Sequence, residues 1–155
     1  MSIIFDSDLI IAFRDMLKNN TEAGSSVFAW RKGPTDISQL PYINITTPNS
    51  SFERGDTGGR GADYEERQLA IIAMVKGSDE EQEDSDGEWV IRKLDVLGQQ
   101  ILNIVDFDSQ PGGLPSGVMN SRLSEIHTER ENTTTEYAVR YYILTLRLKY
   151  SPNRR

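Results

Sequence analysis

The run EYAVRYYILTLRLKY, Glu136–Tyr150, decides how this chain is read. One parity is Ala138, Arg140, Tyr142, Leu144, Leu146, Leu148 and Tyr150; the other is Tyr137, Val139, Tyr141, Ile143, Thr145, Arg147 and Lys149. The first is almost wholly apolar, and the second starts apolar and ends basic. Successive side chains of a strand point to opposite faces, so one face packs a core throughout while the other is covered early and wet late. Aromatic and β-branched residues favour the same assignment over a helix. Roughly 14 residues at about 3.3 Å each span about 45 Å, longer than most strands. The expectation is a central strand with one end projecting beyond its neighbours.

Working outward, two helices and four further strands can be placed. Residues 8–19 carry Leu9, Ile10, Phe13, Met16 and Leu17 on one helical stripe, with Ser7 as N-cap and Asp6 and Asp8 at the positive helix end. Asn19 to Gly24 end that helix. Ser25–Gly33 and Gln39–Thr47 read as short strands, and Pro41 suggests that the second starts at a sheet edge or lies near its first residue. Arg67–Gly77 is a continuous apolar run, as in a strand covered on both faces. Trp89–Phe107 repeats Val90, Leu94, Leu97, Ile101, Ile104 and Val105 at helical spacing. Ser109–Gly117 is a turn-rich connector, and Leu123–Glu131 a strand joined to the last by a turn. The order α-β-β-β-α-β-β predicts one α+β domain over residues 1–155. Its mixed or antiparallel sheet of four to five strands has two helices packed on one face.

Two polar stretches interrupt this pattern and account for a low apolar share of 37%. The first, Pro48–Glu66, holds Gly55, Gly58, Gly59 and Gly61 and reads as a long loop. The second, residues 77–88, carries Asp79, Glu80, Glu81, Glu83, Asp84, Asp86 and Glu88 and reads as a mobile acidic loop. These seven acids account for the whole net charge of −7; the other 17 balance the 17 bases. No basic patch remains to grip nucleic acid. The chain has no cysteine, so disulfides, thiolate metal sites and cysteine nucleophiles are excluded. No apolar run approaches the ~20 residues of a membrane helix, and the start lacks the pattern of a secretion signal.

The motifs that would carry chemistry are incomplete in this sequence. The glycine stretch lacks GK[ST] and precedes a strand rather than opening a helix, so it is no phosphate loop. Aligning Asp84, Asp86 and Gly87 to a calcium loop puts Gln82 and Lys93 where carboxylates are needed. His127, the single histidine, shares a strand face with Glu125 and Glu129. A lone histidine on a half-exposed strand is more often a hydrogen-bonded surface residue than an acid–base catalyst. There is no GxSxG elbow. The expectation is no enzyme, no cofactor and no metal site.

The layout resembles the tail terminator (tail completion) proteins of long-tailed bacteriophages. The points of likeness are a short N-terminal helix, a strand entered through Leu40-Pro41-Tyr42, a long polar loop, an apolar strand, a long helix and an aromatic-rich final strand. The resemblance implies a small α+β subunit of a hexameric ring in the virion, at the junction of tail and neck, assembled in the host cytoplasm. Such a ring caps the tail tube, ends its elongation and joins the tail to the head. Its partners are other copies of itself, the tail tube protein and a connector or neck protein. DNA passes through without specific binding, and no membrane is involved. On that reading Arg54, Asp56, Arg60, Asp63, Tyr141 and Arg147 are candidates for a subunit or tube interface. Asp79, Glu80, Glu81, Glu83, Asp84, Asp86 and Glu88 either line a lumen that repels DNA or are simply solvated. The alternatives are another phage neck or head–tail joining protein, and a non-viral adaptor that binds peptides by edge-strand addition.

Overall fold

The computed structural model describes residues 4–30, 40–48, 64–76, 88–110, 112–130 and 137–149. The elements are α1 (Asp6–Leu17), β1 (Val27–Ala29), β2 (Tyr42–Thr46), β3 (Tyr64–Lys76), α2 (Glu88–Val105), β4 (Val118–Arg130) and β5 (Tyr137–Lys149). The fold is α+β, with two helices on a five-stranded sheet ordered β1-β2-β3-β5-β4. The β1–β2 pair is parallel and the other pairs are antiparallel, so the sheet is mixed.

Both helices cover one sheet face. Leu9, Phe13 and Leu17 of α1, and Leu94, Leu97 and Ile101 of α2, are essentially inaccessible to solvent. They meet Ile43 and Ile45 of β2, Leu69, Ile71 and Ala73 of β3, and Tyr142, Leu144, Leu146 and Leu148 of β5. Each such side chain contributes about 1.5–3 kcal/mol on burial, so this layer is the main stabilising feature. Phe13 of α1 stacks on Phe107 at 6.4 Å and closes the layer beyond the end of α2.

Several boundaries differ from the sequence reading. Helix α1 begins before Ser7: Phe5 occupies the N-cap, and its N–H donates to the Asp8 carboxylate at 3.0 Å. The acid three residues on thus does the capping. At the other end the Asn20 side-chain amide donates to the Met16 carbonyl at 2.8 Å, and Asn19 adopts φ 64°. Strand β4 starts at Val118, five residues earlier than the apolar pattern suggests, because polar Ser121 fills a fully buried position beside Leu146.

Strand β3 starts at Tyr64, so Tyr64, Glu65 and Glu66 are not part of the expected loop. Its burial alternates, and it is not covered equally on both faces: Leu69, Ile71, Ala73 and Val75 lie in the core, while Gln68, Ile72 and Met74 are half-buried opposite. Charged residues extend this strand into the core because they neutralise one another. Arg67, buried on the helix side, pairs with Glu65 two residues earlier at 3.2 Å and with Asp6 of α1 at 3.3 Å. Burial pulls the Arg67 guanidinium below its ordinary value, and Asp6 and Asp8 oppose that pull.

The longer β3 and β4 also remove the expected overhang. β5 pairs with β3 from Tyr64↔Lys149 to Lys76↔Tyr137, and with β4 from Val118↔Leu148 to Arg130↔Ala138. The last strand is therefore flanked along its length, and among the described residues the edge strands are β1 and β4.

Candidate interaction site

Among the described residues no helix lies on the second face of the sheet. That face is buried at β2, where Tyr42 packs against Phe28 at 5.2 Å between ring centres. It opens across β3 and β5, and β4 is exposed from Ser124 to Glu129.

Register builds a groove there. Thr46, Ala70 and Ile143 stand side by side on β2, β3 and β5, with Glu125 next on β4; one step along, Ile72, Tyr141 and His127 do the same. Ala70, Ile72, Tyr141 and Ile143 make an apolar floor. Thr46, Thr47 and Pro48 form one wall, His127 and Glu129 the other, and the volume is about 430 Å³. The β4 wall is acidic: Glu125 and Glu129 flank His127, whose Nε2 is 2.8 Å from a Glu125 oxygen. Both partners of that pair are exposed, as expected of a hydrogen-bonded surface histidine.

The face changes character along β5. Beyond Ile143 come Thr145, which contacts Ser124, and Arg147, whose guanidinium lies 4.2 Å from the Tyr64 ring centre. Such stacking is a cation–π contact. Arg122, on the same side, pairs with Asp106 and Asp108 after α2. One end of the face is therefore apolar with an acidic rim, and the other is a set of paired arginines.

The predicted interface residues do not converge. Tyr141 lines the groove, whereas Arg147 lies six residues along β5, about 20 Å away at a strand's rise. Arg54, Asp56, Arg60 and Asp63 lie outside the described residues, as do Asp79, Glu80, Glu81, Glu83, Asp84 and Asp86. Glu88 is the first residue of α2. Sequence reasoning missed Ile72, Ile143 and the Thr46–Pro48 wall, which only strand pairing brings together.

Tyr142, on the opposite parity from Tyr141, is a core residue: burial raises its phenol above the ordinary value, with Arg140 partly offsetting this. Arg140 in turn bonds Asp95 of α2 at 2.6 Å and ties helix to strand.

Among the described residues no group of three or more acids and histidines is placed to hold a metal ion, and no helix is long and apolar enough to cross a membrane. No family model matches the chain, and no curated protein matches it in sequence.

Proposed function

We propose that the chain is a structural subunit of a phage virion. It assembles as a hexameric ring at the junction of tail and neck, stops growth of the tail tube and joins the tail to the head, without catalysis. The observation that carries this reading is the second sheet face, over which no helix lies among the described residues. A subunit that leaves Ile72, Met74, Tyr141 and Ile143 half-exposed on one side of its central strands is suited to bury them against another protein. The α-β-β-β-α-β-β order and the long final strand agree with the resemblance drawn from the sequence.

The test is native mass, alone and mixed with tail tubes. A hexamer of the 17.5 kDa chain lies near 105 kDa. A species of that mass, or sixfold density at tube ends, supports the ring. A monomer that ignores tubes overturns it.

A second reading, a peptide-binding adaptor, has the outer edge of β4 in its favour, since Glu125–Arg130 pair with β5 on one side and with no strand on the other among the described residues. That stretch carries Glu125, His127, Glu129 and Arg130 and follows a bulge. Charges and bulges are the usual protection of an edge against strand addition, which ranks the adaptor second.

A further inference from the structure

The two carboxylates of the β4 stretch beside the groove are not equally engaged. Glu125 is taken up by His127, whose Nε2 lies 2.8 Å from it. Glu129, which lines the groove, makes no hydrogen bond or ion pair among the described residues. Register sets where it stands. Ile72 of β3, Tyr141 of β5 and His127 of β4 form one row, and Glu129 stands beside Val139, one step further along the same face. Tyr141 and Glu129 are thus diagonal neighbours, about 7–8 Å apart at the backbone and within reach of one long side chain. An aromatic ring, an aliphatic floor and an unpaired carboxylate meet in a space of about 430 Å³.

This combination is selective. An acidic occupant is repelled by Glu129. A purely apolar one shields the carboxylate from water and offers it no counter-charge, an unfavourable exchange. A lysine brings charge, but as a compact, strongly hydrated point. An arginine meets all three features: its stem lies along apolar surface, its planar guanidinium stacks on an aromatic face, and its fork matches a carboxylate. The same sheet face already makes such a contact internally, where Arg147 stacks on Tyr64 at 4.2 Å.

We propose that the groove receives an arginine side chain from an extended segment of a partner protein. The stem lies over Ile72 and Ile143, the guanidinium rests on the Tyr141 ring, and its fork meets Glu129. The proposal rests on the ring reading only in taking this face as one that meets another protein, and it names the chemistry which that protein presents there.

The probes are the peptide acetyl-Val-Arg-Val-amide and its analogues with citrulline or lysine at the centre, titrated into the isotope-labelled full chain and followed by NMR. Citrulline keeps the planar head and removes the charge; lysine keeps the charge and removes the plane. The arginine peptide is expected to shift the amide signals of Ile72, Tyr141 and Ile143, and to bind about 5-fold more tightly than either analogue. Glu129→Gln, at an exposed position, is expected to weaken the arginine peptide about 5-fold and to erase its advantage over citrulline. Tyr141→Leu, which keeps the floor apolar, is expected to weaken it about 3-fold; if that variant fails to fold, Glu129→Gln decides alone. Equal binding of the arginine and citrulline peptides, an unchanged affinity in Glu129→Gln, or no shift in the groove overturns the proposal. The ring is judged separately, by native mass and tube-end density. A hexamer whose groove ignores arginine keeps the ring and loses this contact. A monomer that ignores tubes yet binds the arginine peptide through Glu129 keeps the contact and loses the ring.

Discussion

The phenol of Tyr142 rests on the backbone of Gly98. A Cβ added at Gly98 would fall inside the contact radius of the Tyr142 hydroxyl and 2.8 Å from the ring carbon that bears it. The glycine in α2 is therefore a seat for a β5 side chain, and the two elements approach closely at this point.

From helix propensity alone, Gly98→Ala should stabilise α2 by about 1 kcal/mol. The clash reverses the sign, because overpacking a tight core costs about 1–3 kcal/mol. The expected outcome is a lower urea midpoint for Gly98→Ala, partly restored by adding Tyr142→Phe, which removes the closest atom. A Gly98→Ala chain at least as stable as the unmodified one would refute the close packing.

Tyr142 also gives alkaline pH a defined effect. Burial holds its folded-state value above the ordinary 10.0, so the folded chain keeps the proton after the unfolded chain has lost it. The stabilisation is fully present below about pH 10 and is lost as pH rises through the higher folded-state value. Unfolding followed from neutral pH to about pH 11 should show the unmodified chain losing more stability than Tyr142→Phe. Equal slopes would mean that this phenol is not differentially protonated.

The buried Arg67–Glu65 pair predicts non-additive mutations. Arg67→Met removes the guanidinium from beside a buried carboxylate and should cost about 3–5 kcal/mol. Replacing both partners, Arg67→Met with Glu65→Leu, also removes the charge left behind, and the double variant should lie close to the unmodified chain or above it. A double-mutant cycle in urea measures the coupling. Additive losses would show that the two side chains act separately.

The acidic run should be dispensable for stability. Changing Asp79, Glu80, Glu81, Glu83, Asp84 and Asp86 to their amides removes six like charges that repel one another. The melting temperature is expected to stay level or rise slightly. A fall of several degrees would assign these residues a structural role.

Much of the fold was legible because its signals are local. The Leu144, Leu146 and Leu148 alternation marks β5, and the Val90, Leu94, Leu97 and Ile101 stripe marks α2, since each needs only the period of its own backbone. The first three residues of β3 were not legible. YEE reads as loop until Arg67 is known to meet both Glu65 and Asp6, the latter 61 positions earlier in the chain. Ser121 concealed the start of β4 for a similar reason: a polar residue stands in the core where the pattern expects an apolar one.

The sequence by itself thus determined the element order, the apolar parity of β5 and the local origin of the net charge, all properties of neighbours along the chain. Tertiary structure alone decided that β5 lies between β3 and β4, that Gly98 receives Tyr142, and that residues as distant as Thr46, Ile72, His127 and Tyr141 share one groove. Those relations arise from strand register and helix packing, in which the partners lie far apart in sequence and no local periodicity records which residues will meet.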